Sequence, residues 1–393
     1  MAIAHFLLAA LAALTLVPVT VLFAEVVLAI TNRRAAALAV EERPPVAVIV
    51  PARNEESIIA DTVRALLPQL GKADRLVVIA DNCTDQTAAV AAAAGADVVV
   101  RHDPTQRGKG YAVDYAIRQL AAAPPEVVII VDADCRIESG SFDLLAGISK
   151  RTGRPVQALY LMESPQNAGL MMRIAAFAWI LKNQVRPLGL LRVGLPCQLM
   201  GTGMAFPWAC ISTVRLATSL TADDLKLGID LALAGTPPLF CPQARVSSYF
   251  PQSDQGLHGQ RLRWEHGHLD VLLQVGPHLL ARAFATRNVA LLALGLDLCV
   301  PPLALLLLVV AALGFGTASL WLLSGAGALA LAFSSAALLL LTLAVLLTWD
   351  RYGRRIISLR ELAWAGLYAL WKIPLYARYL VARQSQWVHS KRD

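Results

Sequence analysis

The sequence predicts an α/β domain with a mostly parallel sheet, carried between membrane-spanning helices. From about residue 44 to 270, short apolar runs alternate with helical stretches across polar loops, the pattern of parallel strands covered by helices on both faces. Long apolar stretches flank this region, and of the 393 residues 56% are hydrophobic and 16% charged, an excess too high for an ordinary soluble protein. The formal net charge is +7. No basic, aromatic-interleaved module accompanies that charge, so it points to anionic lipid head groups and nucleotide phosphates, and no nucleic-acid partner is expected. Six cysteines (Cys83, Cys135, Cys197, Cys210, Cys241, Cys299) lie far apart with no CxxC pair. They read as reduced thiols of a cytosol-facing protein, not as a disulfide frame or zinc site.

Taken in order, His5 to Ile30 is almost unbroken apolar sequence, long enough for the roughly 20 residues a bilayer requires. Residues 1–31 are therefore expected to form a transmembrane helix. Asn32-Arg33-Arg34 follows it, which places the next segment on the cytoplasmic side. Val46–Val50, Leu76–Ala80, Val98–Val100 and Val127–Val131 are expected as strands, with helices over Glu56–Leu70, Thr84–Ala94 and Lys109–Ala122. In such sheets a ligand sits beyond the carboxyl ends of the strands. The loops there are Pro51-Ala52-Arg53-Asn54-Glu55, Asp81-Asn82-Cys83-Thr84-Asp85, Arg101-His102-Asp103 and Asp132-Ala133-Asp134, and every one carries a carboxylate. The run ending in Asp132 and Asp134 reads as a strand buried on both faces. Alternation along an extended chain turns both carboxylates to one side, where they suit a hard cation; a solvated Asp-rich turn is the competing reading. Asp81 is placed to accept from a ring N–H of a base, while Thr84 and Asp85 suit caps of the next helix. Arg107-Gly108-Lys109-Gly110 opens a helix whose N–H groups and lysine favour phosphate, without full phosphate-loop spacing.

Farther on, 169–191 mixes apolar residues with Arg173, Trp179, Lys182 and Arg186. It reads as an amphipathic helix in the membrane interface, or as a buried core helix. The stretch to Trp208 reads as an acceptor-side loop. Trp208 and Trp264 are candidates for stacking on sugar rings or for the core. Asp223-Asp224 opens an apolar helical pattern after Thr221, as a cap, as a proton-accepting pair, or both. His258, His266 and His268, spaced by Gly259 and Gly267, read as a mobile loop that either joins a metal shell or does not. Past Arg287, the region 288–348 is expected to hold two spans, Asn288–Leu313 and Ala328–Thr348, joined by a Gly-rich connector over 314–327 and followed by Arg351, Arg354 and Arg355. Three spans put the amino terminus outside and the α/β domain and carboxyl terminus inside the plasma membrane. Residues 361–382, with Trp364, Trp371, Lys372, Pro374 and Arg378, suit an interfacial helix, since a fourth span would strand Lys391-Arg392 outside.

The succession VAVIVPARNEE, VVIADNCTDQT, RGKGYAVDYA and VVIIVDADCRI resembles the nucleotide-sugar-binding half of a family 2 glycosyltransferase with the GT-A fold, a Rossmann-like, mostly parallel sheet. The resemblance extends through Gly201-Thr202-Gly203 and Leu220-Thr221-Ala222-Asp223-Asp224-Leu225. Gln260-Arg261-Leu262-Arg263-Trp264 is similar to the QxxRW motif of membrane-bound members, among them ceramide glucosyltransferases and the cellulose, chitin and hyaluronan synthases. It covers about residues 44–270. What it implies is that Pro51, Ala52, Glu55 and Asp81 hold the nucleoside, with Arg53 in the same donor loop and Lys109 near it or the diphosphate. It further implies that Asp132 contacts the donor and Asp134 ligates Mg2+ or Mn2+. Asp224 matches the catalytic base, with Asp223 where Glu is more usual; Gln260, Arg263 and Trp264 fall on the donor side and Gly201, Thr202 and Gly203 on the acceptor side.

Physical chemistry runs the same way. Breaking an anomeric C–O bond to a diphosphate builds negative charge that a cation, Arg263 and Lys109 can offset, and one base with no second nucleophile implies a single inverting displacement. An α-linked UDP-sugar, a hexose or N-acetylhexosamine, would then give a β product on a lipid or cell-envelope glycan acceptor. Three spans are few for a translocation channel, which favours limited addition over a processive synthase. A nucleotidyltransferase leaves Asp223-Asp224 and the Gln260–Trp264 motif without a purpose, and a silent membrane scaffold has no need of the carboxylates.

Overall fold

The computed structural model describes residues 2–31, 43–165, 167–218, 221–251 and 254–381, and only the backbone of residues 2, 4, 254, 255, 257 and 258. Asn32-Arg33-Arg34, Leu220, Lys391-Arg392 and the side chain of His258 lie outside the described residues.

A 29-residue helix, α1 (Ala2–Ile30), precedes β1 (Val46–Ala52), α2 (Ile59–Leu66), β2 (Arg75–Asp81), α3 (Thr87–Ala93), β3 (Asp97–Arg101), α4 (Lys109–Leu120) and β4 (Val127–Ile130). There follow β5 (Arg136–Ile137), α5 (Ser141–Thr152) and β6 (Val156–Glu163), then α6 (Leu170–Ile180) and α7 (Arg186–Arg192) joined by a wider π turn. The domain closes with β7 (Met204–Pro207), α8 (Trp208–Ile211), α9 (Asp223–Leu233), β8 (Leu239–Tyr249) and α10 (Asp254–Gln274). Last come α11 (Gly276–Thr286), α12 (Val289–Leu298), α13 (Leu303–Ser324), α14 (Ala328–Thr348), α15 (Leu359–Leu362), α16 (Ala365–Trp371) and α17 (Ile373–Val381).

The sheet runs β3-β2-β1-β4-β7-β6-β8-β5. Its first four strands are parallel, β7 is antiparallel to β4 and β6, and β8 is parallel to β6 and antiparallel to β5. Alternate residues of each strand go to opposite faces, as the period of two demands. Val48, Val50, Val78 and Ile129 meet Ile59 and Val63 of α2 and Phe142 and Leu145 of α5. Ala47, Ile49, Val77, Ile79 and Ile130 meet Val113 and Ile117 of α4 and Leu227 and Leu231 of α9. Each fully buried aliphatic side chain contributes about 1.5–3 kcal/mol. The expected parallel half is therefore present. The second half, β5 to β8, carries no unbroken β-branched run in the sequence and was not anticipated as strands.

Among the described residues, three helices are long and apolar enough to cross a membrane: His5–Ile30, Leu303–Ser324 and Ala328–Gly353. Val19, Leu22 and Val26 pack with Leu306, Val310, Ala337 and Leu341, while Phe6, Leu14, Phe315, Leu322 and Leu339 face outward. The expected span over 288–313 moves: Pro301-Pro302 lack N–H donors and clash with a preceding turn, so α12 ends before them and α13 begins after. Gly314 and Gly316 lie inside α13, and the turn between the two long helices shrinks to residues 325–327. The single interfacial helix expected over 361–382 is three short ones, α15 to α17. The segment over 170–192 is largely buried, packed on the sheet and on α1: Gly189 backs onto α1, where a Cβ would lie 2.1 Å from the Glu25 carbonyl oxygen. Beside it, Arg186 is buried between Glu25 of α1 (Nε to Oε2, 2.9 Å) and Asp297 of α12 (Nη2 to Oδ1, 2.6 Å). Such a triad loses its balance if one member goes, since the others remain buried and charged.

Candidate active site

The strand run ends at Ile130, and Val131 continues it by donating to the Ile49 carbonyl at 3.0 Å. The chain then turns rather than staying extended, with Cys135 N–H donating to the Asp132 carbonyl at 3.0 Å. Convergence of Asp132 and Asp134 therefore comes from this turn and not from strand alternation. One ligand atom each of Asp132, Asp134 and Cys135 lie within 4.8 Å of one another, the single such group among the described residues. Ser248 on β8 donates to Asp134 Oδ2 at 2.8 Å. Burial pushes the Cys135 thiol up to about 12, so it stays protonated and a hard cation is left with the two carboxylates. The residues present thus fit Mg2+ or Mn2+.

Asp132 is held at its carboxylate and at its backbone N–H. Lys109, the first residue of α4, pairs with its carboxylate and donates to the Gly201 carbonyl at 2.6 Å. The buried Thr202 hydroxyl accepts the Asp132 N–H at 3.0 Å. Thr202, expected on the acceptor side, thus braces the backbone of Asp132. Gly203 has φ +64°, and a Cβ there would lie 2.6 Å from Val246 Cγ2, so only glycine permits this crossing of the strand ends.

Asp223 and Asp224 are the first two residues of α9, whose N-cap is Ala222 with no side-chain cap. Thr221 is not the cap: its hydroxyl is buried without a partner. Instead Asp223 Oδ1 accepts the Asp224 N–H at 3.0 Å, and both carboxylates sit at the positive end of the helix. Burial and then the neighbouring Asp224 push the Asp223 carboxyl up to about 7, against the pull of Lys109. Burial also raises Asp224, opposed by Lys182 and Lys109. For Lys109, burial is outweighed by Asp132 and Asp223, which hold its ammonium above the usual range.

Trp264, on α10, packs on Trp179 with ring centroids 4.5 Å apart. Burial draws the Arg263 guanidinium below its usual value, and Asp132 and Asp223 act against it. One cavity of about 200 Å³ is lined by Lys109, Asp132, Gly201, Asp223, Asp224, Gln260, Arg263 and Trp264. Three segments expected from sequence to act together are thus brought together. Pro51, Ala52, Arg53, Glu55 and Asp81 are not in its walls; they stand at the carboxyl ends of β1 and β2, where Pro51 pairs with Ile79. Asp81 is already engaged, its Oδ1 accepting from Arg101 at 2.6 Å and Asn82 at 3.0 Å. Asp85 accepts from the Thr87 N–H at 3.1 Å and so does serve the start of α3.

α10 is one continuous helix, not a mobile loop. His266 Nε2 lies 3.0 Å from the Leu375 carbonyl and His268 Nε2 3.2 Å from that of Leu298. Both are buried, burial lowers His268 to about 3, and neither belongs to the carboxylate group. Trp208 packs against the sheet core and is not in the cavity wall. Lys182, Arg186 and Ser248 were not singled out for this site by sequence. The first two form an i, i+4 cationic pair in a largely apolar segment, which was the available signal; Ser248 had none.

Residues 44–267 match the family model described as glycosyltransferase-like family 2. The chain belongs to that family. As a family 2 glycosyltransferase, it is an enzyme whose α/β domain is of the GT-A type. Glucosyl-3-phosphoglycerate synthase of Mycolicibacterium smegmatis is 39% identical over 95 residues, which are 23% of this chain and 30% of that protein. An uncharacterised glycosyltransferase of Mycobacterium tuberculosis is 37% identical over 122 residues, 29% of this chain and 51% of the relative. The match thus spans from under a third to about half the length of these relatives. Among solved structures, a mannosyltransferase from Pyrobaculum calidifontis in complex with GDP-mannose and Mn2+ aligns over 95% of this chain and 99% of its own, with TM-score 0.54 and 19% identity. That likeness extends to the fold.

Proposed function

We propose that this glycosyltransferase moves a hexose or N-acetylhexosamine from a UDP-sugar to a lipid or cell-envelope glycan acceptor at the cytoplasmic membrane face, with inversion to a β linkage. The observation that carries the reading is the placement of two separate carboxylate sites around one cavity, Asp132 with Lys109 on one side and Asp223-Asp224 on the other. Asp134 and Asp132 would hold Mg2+ or Mn2+, which when bound would neutralise charge on the diphosphate. Asp224 takes the proton of the acceptor hydroxyl as its oxygen bonds to the anomeric carbon, and the bond from that carbon to the diphosphate breaks with its electron pair leaving on the diphosphate. Lys109 and Arg263 offset the charge that builds there. Pro51, Ala52, Arg53, Glu55 and Asp81 form the nucleoside end of the donor site, and the motif around Gln260, Arg263 and Trp264 acts as in the QxxRW-type membrane enzymes.

A second observation supports an acceptor with an apolar tail. A cavity of about 500 Å³, lined by Leu22, Phe177, Leu341 and Val345, shares Trp179, Lys182, Arg186, Trp264 and His268 with the catalytic cavity. Exposed Arg351, Arg354 and Arg355 after α14 support a cytoplasmic catalytic domain. Purified protein in nanodiscs, given Mn2+, membrane lipid extract and a panel of UDP-sugars beside GDP-mannose, should release nucleotide diphosphate and yield a glycosylated product by mass spectrometry. A product formed only from GDP-mannose would overturn the donor assignment, and an elongating ladder the limited addition.

A further inference from the structure

Much of the surface of α10 away from the cavity is taken up by α16 and α17. Lys372, between α16 and α17, makes a buried ion pair with Glu265. His266 meets the Leu375 carbonyl, and the Tyr379 hydroxyl donates to Asp270 at 2.8 Å. Arg261 lies 5.7 Å over the Tyr368 ring and 5.6 Å over that of Trp371. Leu262 packs with Leu375 and Tyr376. The other sides of α10 contact the catalytic machinery directly: Arg263 and Trp264 line the cavity, and Val271 packs with Ala222, Leu225 and Ile229 of the helix that carries Asp223 and Asp224.

The outward faces of the same two helices are apolar. Leu367, Leu370, Trp371 and Ile373 are 47–56% exposed, and Leu380 85%. α16 also packs against α13, one of the three long apolar helices, so this exposed face continues the lipid-facing surface of the protein. Its occupant is a bilayer surface, which covers an apolar face at the level where Trp and Arg side chains settle.

We propose that α16 and α17 are a membrane-seated strap, and that Glu265 and Lys372 are positioning residues through which it holds the Arg263–Trp264 face of α10 in register with the carboxylates. The strap thereby makes completion of the donor site depend on a lipid surface. This rests on the glycosyltransferase reading above. Displacing a positioning group by about 1 Å lowers turnover by roughly a hundredfold, and the strap acts on α10 without touching substrate.

The test uses the full chain in nanodiscs and in detergent micelles, with Mn2+ and the donor that the panel identifies. Lys372→Met should lower kcat by about a hundredfold while calorimetric affinity for UDP, held mainly at β1 and β2, changes less than about threefold, and Lys372→Arg should restore kcat. A second variant with Leu367→Ser, Leu370→Ser and Leu380→Ser disturbs only the outer face; its rate in nanodiscs should drop to that of wild type in detergent. If Lys372→Met does not fold, this variant decides alone. Wild-type kcat in Lys372→Met, no recovery in Lys372→Arg, or an undiminished nanodisc rate in the outer-face variant overturns the strap. Absence of metal-dependent donor turnover by wild type in both settings would instead sink the glycosyltransferase mechanism itself.

Discussion

Replacing Asp224 by Asn keeps the size and most of the hydrogen bonding of the side chain but removes its capacity to take a proton. A positioned general base is worth about 10²–10⁴ in rate, or roughly 3–5 kcal/mol of activation free energy at 1.36 kcal/mol per decade. The structure sets where in that range the loss should fall. Asp223 is the next residue on α9, but its Oδ1 is committed to the Asp224 N–H, so it is a poor substitute and the upper half is expected, about a thousandfold or more. The donor KM should not rise. Lys182 and Lys109 both bear electrostatically on Asp224, and with its charge gone they attract a diphosphate at least as strongly. Transfer is followed as nucleotide diphosphate release and product mass in nanodiscs with Mn2+ at pH 8, with kcat and donor KM fitted separately. A kcat within tenfold of wild type, or a raised KM with kcat intact, would refute the assignment of Asp224 as base.

Further outcomes follow from the same geometry. The acid limb of the wild-type pH–rate profile should lie well above the ordinary carboxylate range, because burial raises both Asp224 and its neighbour Asp223; Asp223→Asn should move it to lower pH by removing a like charge, and an unmoved limb would count against the pairing. Asp223 ordinarily titrates at 3.8 and is held at about 7 in the folded chain, so the stability this site contributes is full below 3.8 and is lost as pH rises toward 7, opposite to activity. Arg186→Met strands Glu25 and Asp297 as buried charges and should cost about 3–5 kcal/mol, seen as a lower melting temperature in detergent; a loss under about 1 kcal/mol would show that the triad carries no net balance. Ser248→Ala removes the donor to Asp134 and should raise the Mn2+ concentration for half-maximal rate by about tenfold, whereas an unchanged metal titration places Asp134 outside the metal site.

How far the sequence carried can be read from particular residues. Val46–Val50 and Val127–Val131 were legible as strands because they are β-branched runs buried on both faces, and the loops at their carboxyl ends carried the carboxylates that line or flank the site. Val156–Glu163 and Leu239–Tyr249 were not, since their strand identity comes from pairing partners far along the chain and their composition is mixed. The second long apolar helix begins at Leu303 and not at residue 288, because α12 is as apolar as a span and Pro301-Pro302 marks the break between them. His266 and His268, beside the Gln260–Trp264 motif, are residue types that suit a metal, yet in the fold they meet backbone carbonyls of α17 and α12.

Sequence by itself determined the runs of the parallel half of the sheet, the first and last of the long apolar helices, and the residue types that suit a cation and a diphosphate, because each depends on local period and composition. Tertiary structure decided which of those residues face one another. Lys109 reaches the Gly201 carbonyl across 92 positions, Arg186 joins Glu25 across 161, and Lys372 meets Glu265 across 107. No local pattern encodes such pairs. They arise when strand order, glycine-permitted crossings and helix docking bring distant segments within hydrogen-bond range, and the burial that follows gives Asp223 its raised pKa.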